Sequence, residues 1–132
     1  MVDNKTRSIF CSYEYGDKEH KDKLKEWGEN GRLGNDVIIV YETQDKRQGG
    51  KKAVRNYLSP KLKGCSDMIV LIGNNTHNAP GVEYEIAHAK SDHKRIIPVR
   101  IPETTGAPPK AIRQKRLFAF EPNAIKKALN KK

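Results

Sequence analysis

The chain contains 132 residues (15.0 kDa), enough for one domain with its own core and too few for two. Hydrophobic residues make up 36% and charged residues 32%, and no apolar run approaches the roughly 20 residues that a membrane-spanning helix needs. The N-terminus lacks the features of a secretory signal, and two cysteines, Cys11 and Cys65, suit a reducing compartment better than a disulfide framework. We therefore expect a cytoplasmic location without membrane attachment.

The net charge of +10 is distributed unevenly. Residues 44–63 carry 7 basic and 1 acidic side chain, and residues 110–132 carry 8 and 1. Such blocks indicate an anionic partner, either nucleic acid or a phosphate-bearing ligand, although a solvated basic surface has the same composition. Aromatic residues make up only 7% of the chain and do not alternate with the lysines, so nucleic acid is not the partner we expect.

Five segments rich in β-branched and other apolar residues predict strands. In chain order they cover residues 7–13, 36–41, 67–72, 95–101 and, more weakly, 116–120. The second and third are continuous apolar runs, which is typical of strands buried on both faces of a parallel sheet.

Apolar residues at helical spacing fill the gaps between the strands. The four inward faces comprise His20, Leu24 and Trp27; Ala53, Val54, Tyr57 and Leu58; Val82, Ile86 and Ala89; and Ile125 and Leu129 within residues 123–130. We expect Asp17 to cap the first helix and Asn78 to cap the third, with Pro80 in the first turn of the latter.

Strands and helices that alternate in this way predict a three-layer α/β domain with a mostly parallel five-stranded sheet. The Pro- and Gly-rich residues 102–110 replace the helix that would otherwise follow the fourth strand. We expect a single domain over residues 1–132, with its core over about residues 6–120 and a basic C-terminal helix over residues 123–132.

Ligands of open α/β sheets bind beyond the carboxyl ends of the strands. Four loops should meet there, over residues 12–17, 42–50, 73–81 and 102–110. No G-x-G-x-x-G motif follows the first strand, residues 49–52 lack P-loop spacing, and the histidines and cysteines lack zinc spacing, so we expect neither a dinucleotide cofactor fold nor a metal site.

Glu85 is the carboxylate best placed to reach this crevice. It lies beside the apolar stripe of Val82 and Ile86, so it should be partly buried, and helical side chains lean toward the N-terminus. A glutamate in this position is either a catalytic group or part of a structural ion pair, and the sequence pattern alone leaves both roles open.

Four segments carry a resemblance to a known family. They are residues 9–13 (IFCSY), 68–73 (MIVLIG), 75–78 (NTHN) and 82–86 (VEYEI). Together they resemble a bacterial TIR-like domain of the kind found in Thoeris anti-phage defence, with the similarity running from Thr6 to Ile101. The resemblance implies a flavodoxin-like fold. It also implies an enzyme that cleaves NAD, releases nicotinamide and makes a cyclic or otherwise modified ADP-ribose signal, which activates a separate effector. NAD would then be a substrate, and no cofactor is implied.

The same resemblance implies roles for particular residues. Glu85 falls on the catalytic glutamate of the family. Phe10, Ser12 and Tyr13 fall on the loop that shapes the nucleotide pocket. Residues 42–50 fall on a mobile loop that takes part in self-association and gates the site.

Several further side chains are candidates for contacting the nucleotide. Asn75 could bind ribose, His77 a phosphate or ribose, and Arg47 the pyrophosphate; each is also common in turns, caps or solvated loops. TIR enzymes often carry Trp four residues before the glutamate, where this chain has Gly81. Either another ring packs on nicotinamide or adenine, with Tyr13, Tyr15 and Tyr84 as candidates, or activity needs a different assembly.

One carboxylate is sufficient for this chemistry. Nicotinamide leaves NAD as a neutral molecule, so no general acid is needed, unlike the two carboxyl groups of ordinary glycosidases. Two other functions stay open on the sequence: a non-catalytic TIR-type interaction module in which Glu85 is structural, and a nucleic-acid-binding α/β protein that uses the basic blocks.

Overall fold

The computed structural model describes residues 6–41 and 61–131. The strands are β1 (Arg7–Ser12), β2 (Val37–Tyr41), β3 (Asp67–Ile72), β4 (Arg95–Arg100) and β5 (Phe118–Ala119). The helices are α1 (Lys18–Glu29), α2 (Pro80–Ser91) and α3 (Pro122–Asn130). Short 3₁₀ turns cover Tyr15–Asp17, Thr76–Asn78 and Lys110–Ile112.

The five strands form one sheet in the order β2-β1-β3-β4-β5, and every neighbouring pair is parallel. The predicted parallel α/β architecture is therefore confirmed. The fifth strand is shorter than the predicted residues 116–120, because only Phe118 and Ala119 pair with β4 and Leu117 is exposed.

Two clusters of buried side chains cover the two faces of the sheet. Side chains alternate along a strand, so Ile9 and Cys11 pack on the face that α1 and α3 cover, whereas Phe10 packs on the α2 face. All six residues of β3 are buried, as its continuous apolar run predicts for a central strand covered on both sides.

The helix boundaries correct one prediction and qualify another. Asp17 occupies the N-cap position of α1, but its side chain makes no capping hydrogen bond. The residue before α2 is Ala79, so the prediction that Asn78 caps this helix is wrong. Asn78 instead ends the 3₁₀ turn, and Ala79 takes the extended conformation that a following proline favours. Pro80 lies in the first turn of α2, as predicted.

The remaining helical predictions have different outcomes. Ile125 and Leu129 of α3 are buried, which confirms its predicted inward face. Residues 61–63 are helical, whereas the predicted helical face of residues 53–58 lies outside the described residues. No helix within residues 6–41 and 61–131 is long and apolar enough to cross a membrane.

An ion-pair cluster lies at the amino end of the sheet, at the start of β3. The buried Asp67 carboxylate accepts hydrogen bonds from Arg7 Nη2 at 3.0 Å and from Arg95 Nε at 2.6 Å. Arg95 also donates to the carbonyl oxygens of Leu129 and Lys131, so this cluster attaches the end of α3 to the sheet. The helix C-terminus carries a partial negative charge, so the positive guanidinium of Arg95 is favourable there.

Candidate active site

An open depression of about 400 Å³ lies at the carboxyl edge of the sheet, where the loop after β1 faces the loop after β3. Its lining consists of Glu14, Tyr15, Asn75, Asn78, Ala79, Pro80 and Gly81. This is the edge at which α/β sheets bind ligands. Tyr15 is 47% exposed, so its ring is available to a ligand in the depression.

Glu85 lies behind this surface, between α2 and the sheet. It has no exposed surface, and Ser12 Oγ donates a hydrogen bond to Glu85 Oε1 over 2.5 Å. Ser12 is also fully buried and is the last residue of β1. The glutamate is thus more deeply buried than the partial burial that its place beside the apolar stripe predicts.

The direction of α2 relates Glu85 to the depression. Gly81 lies one helical turn before Glu85 and lines the depression, and helical side chains lean toward the N-terminus. The carboxylate is therefore directed toward this end of α2. Glu85 is absent from the lining itself, so the carboxylate and the depression are separated in this conformation.

Thr76 orders the loop after β3. Its hydroxyl accepts a hydrogen bond from the Gly73 N–H at 2.8 Å and donates to the Leu71 carbonyl oxygen at 3.2 Å. In the sequence, Thr76 is quoted only within the NTHN segment and no role is predicted for it, although Ser and Thr hydroxyls commonly hydrogen-bond the backbone of turns. The fixed loop presents Asn75 at the depression.

Asp17 contributes a second carboxyl group at this edge of the sheet. Its oxygens lie against Gly73, and its buried Oδ2 has no hydrogen-bond partner in the part of the chain that the structure describes. Burial raises the pKa of this carboxyl group, and the negative charge of Glu14 raises it further, whereas His20 acts to lower it. The predicted cap is therefore a carboxyl group at the crevice whose ionised form is disfavoured.

The other predicted site residues are distributed more widely. Asn75 is exposed at the depression, and His77 is half-buried in the adjoining 3₁₀ turn, where its Nδ1 has no hydrogen-bond partner within the described residues. Phe10 and Tyr13 are both buried, but they belong to the clusters on opposite faces of the sheet. The structure therefore does not bring those two rings together.

Two predicted residues remain. Tyr84 is half-buried on α2, with its ring centroid 6.2 Å from that of His88. Arg47 lies outside the described residues, as does the whole of the predicted gating loop at residues 42–50. Across residues 6–41 and 61–131, no group of three or more His, Cys, Asp or Glu side chains could hold a metal ion.

Comparison with known proteins decides the family. The family model described as Thoeris protein ThsB, TIR-like domain, matches residues 10–106, well over half of the chain. The chain belongs to the ThsB TIR-like domain family. A search of curated proteins finds no significant match.

Solved structures support the same fold. The chain is similar to the crystal structure of the TIR domain of the Toll-related receptor TRR-2 from Hydra magnipapillata, with a TM-score of 0.62 and 12% sequence identity. That similarity covers 84% of this chain and 82% of the Hydra chain. At such low identity it shows the fold alone, and it confirms the predicted TIR-like architecture. The ThsB family match spans Ser12 and Glu85 and ends before the basic residues 110–132.

Proposed function

We propose that this chain is a TIR-like enzyme that cleaves NAD in anti-phage defence, with Glu85 as its catalytic carboxylate. The observation that carries the proposal is the buried Glu85, hydrogen-bonded to Ser12 beside the crevice at the carboxyl edge of a ThsB-family TIR fold. The product would be a cyclic or otherwise modified ADP-ribose that activates a separate effector. Self-association through TIR-type contacts and a cytoplasmic location belong to the same proposal.

The reaction requires little from the protein beyond electrostatics. The bond between ribose C1′ and the nicotinamide ring nitrogen breaks, and its electron pair stays on that nitrogen, so nicotinamide leaves uncharged. The positive charge that develops on the ribose is stabilised by the Glu85 carboxylate, most strongly in a water-poor site. Water then adds to C1′ and loses a proton to solvent, or a hydroxyl or ring nitrogen of the same nucleotide adds and closes a ring.

The depression supplies contacts for the rest of the nucleotide. Tyr15 offers an exposed ring to a base, whereas Tyr13 is only 2% exposed and Tyr84 is half-buried, so Tyr15 replaces the Trp that this chain lacks at Gly81. Asn75 and Asn78 present amide groups that can hydrogen-bond ribose hydroxyls.

Full burial of Glu85 implies that this conformation is a resting one. Ribose has to reach the carboxylate before cleavage, so the first turn of α2, which lines the depression at Pro80 and Gly81, has to move aside while Glu85 stays bonded to Ser12. An enzyme of this kind would be inactive until a cue from infection shifts it to the open state.

One second candidate also has an observation in its favour. Glu85 is fully buried and accepts a hydrogen bond from Ser12, and a carboxylate with a purely structural role has the same two properties. The chain would then be a non-catalytic TIR-type interaction module that signals by assembly.

Nicotinamide release from NAD tests both candidates. The protein is incubated with NAD, with and without an extract of phage-infected cells, and compared with Glu85→Gln and with Glu83→Gln, an exposed glutamate on the same helix. We expect release by the wild type and by Glu83→Gln, and a loss of at least about 100-fold in Glu85→Gln. If none of the three proteins releases nicotinamide in either condition and all retain self-assembly, the result would favour the interaction module. Binding to DNA or RNA that collapses with added salt would instead favour a nucleic-acid-binding protein.

A further inference from the structure

The side chains of Ser12 and Glu85 are in direct hydrogen-bond contact at the candidate catalytic group. Their oxygens are 2.5 Å apart, which is the short range expected when a hydroxyl donates to a carboxylate. We infer that Ser12 is a positioning residue, whose hydroxyl fixes the catalytic carboxylate of Glu85 and does not bind the nucleotide. This inference rests on the proposed function and goes beyond it.

The backbone at Ser12 makes it a rigid support. Ser12 ends β1 and pairs in register with Val70 of the central strand β3, and it lies on the same side of β1 as Phe10, toward α2. A glutamate side chain has three rotatable bonds, so its carboxylate needs an external contact to keep one orientation. A hydroxyl on β1, a strand paired on both sides within the sheet, supplies that contact with little backbone freedom of its own.

The position of Ser12 argues against direct contact with substrate. Ser12 has no exposed surface and is absent from the lining of the depression. A serine hydroxyl has a single proton to donate, and here it is directed to Glu85 Oε1. A nucleotide would have to break this hydrogen bond before Ser12 could donate to it.

Loss of the hydroxyl should affect turnover more than binding. A catalytic group has to stay within a fraction of an ångström of its productive position, and a displacement of about 1 Å can lower a rate by about 100-fold. We therefore expect Ser12→Ala to lower kcat by about 10- to 100-fold and to change KM by less than about twofold.

The experiment uses three substitutions at Ser12 in the extract-activated protein. Ser12→Ala removes the hydroxyl, Ser12→Cys keeps the size with a weak donor, and Ser12→Thr restores a strong donor. Val70→Ala is the matched control, because Val70 is the buried neighbour of Ser12 on β3 and shortening it leaves the hydroxyl in place. We expect Ser12→Ala and Ser12→Cys to lower kcat and Ser12→Thr to recover at least part of it. Val70→Ala should reduce thermal stability and retain kcat and KM.

A binding measurement distinguishes positioning from substrate contact. NAD affinity is measured by calorimetry for Glu85→Gln and for the same protein carrying Ser12→Ala as well. We expect the two affinities to agree within about twofold, because Ser12 acts through the carboxylate. Weaker NAD binding in the double variant, a raised KM in Ser12→Ala, or full kcat in both Ala and Cys would overturn the positioning role and leave NAD cleavage standing. A wild type as inactive as Glu85→Gln in both conditions would overturn the proposed function and, with it, this inference.

Discussion

Gly106 lies directly against Gly73, so the segment after β4 rests on the loop after β3. A Cβ atom on Gly106 would meet the Gly73 carbonyl oxygen and would lie 2.5 Å from that of Asn74. The Thr105 N–H donates to Asn74 Oδ1 at 2.8 Å and holds the two segments together. This contact supports the loop that presents Asn75 to the depression.

Gly106→Ala should destabilise the protein by about 1–3 kcal/mol, because the new methyl group would overlap backbone atoms that cannot rotate away. Denaturant unfolding gives the free energy. Gly73→Ala is the control, since the three atoms nearest to the methyl group there all belong to the end of the Asp17 side chain, which can move. A smaller effect is expected for Gly73→Ala, and equal effects would contradict this explanation.

Asp17→Asn should stabilise the protein at neutral pH. The pKa of Asp17 is raised by burial and by Glu14, so the ionised carboxyl group is less stable in the folded than in the unfolded chain. Its protonated form favours folding below the unfolded pKa, and that advantage is lost as the pH rises through the folded pKa. Thermal midpoints between pH 3.5 and pH 8 should show the benefit of the substitution growing with pH. Asp36→Asn, at an exposed site, is the matched control, and an equal gain in stability there would contradict this explanation.

Asp67→Asn should destabilise the protein by about 3 kcal/mol, because it leaves Arg7 and Arg95 without their shared buried carboxylate. Burial acts to raise the pKa of Asp67, but hydrogen bonds from Ser66, Arg95 and Arg7 outweigh it and lower the pKa overall. The stabilisation is therefore present above the unfolded pKa and is lost as the pH falls through the folded one.

Chemical unfolding of Asp67→Asn at pH 7 and at pH 3 checks this prediction. The difference from wild type should shrink at the lower pH. Glu29→Gln serves as a control, since it removes an exposed ion pair with Lys25 on α1 and should change stability little. If the free energy of unfolding of Asp67→Asn stays below that of wild type by the same amount at both pH values, packing and not charge would account for the lost stability.

Tyr15→Ala should raise KM for NAD about tenfold, because it removes the exposed ring from the depression. Tyr15→Phe keeps the ring and should keep KM. Leu117→Ala is a matched control, since it shortens an exposed apolar side chain far along the chain from the site. Steady-state nicotinamide release gives KM, and an unchanged KM in Tyr15→Ala would remove Tyr15 from the nucleotide site.

Much of the fold follows from local sequence pattern. The apolar run of β3 could be satisfied only by burial on both faces, and its predicted and observed bounds agree. Boundaries that depend on pairing were less predictable. The fifth strand was predicted too long, because only its contact with β4 decides which residues pair.

The sequence by itself determined the parallel α/β order and the position of Glu85 beside Val82 and Ile86, because both follow from the period of apolar residues along the chain. Only the tertiary structure decided that Ser12 meets Glu85, 73 residues away, and that Asp17 lies against Gly73 instead of capping α1. Such contacts depend on strand register and on how loops meet at one edge of the sheet, and no local pattern contains that information.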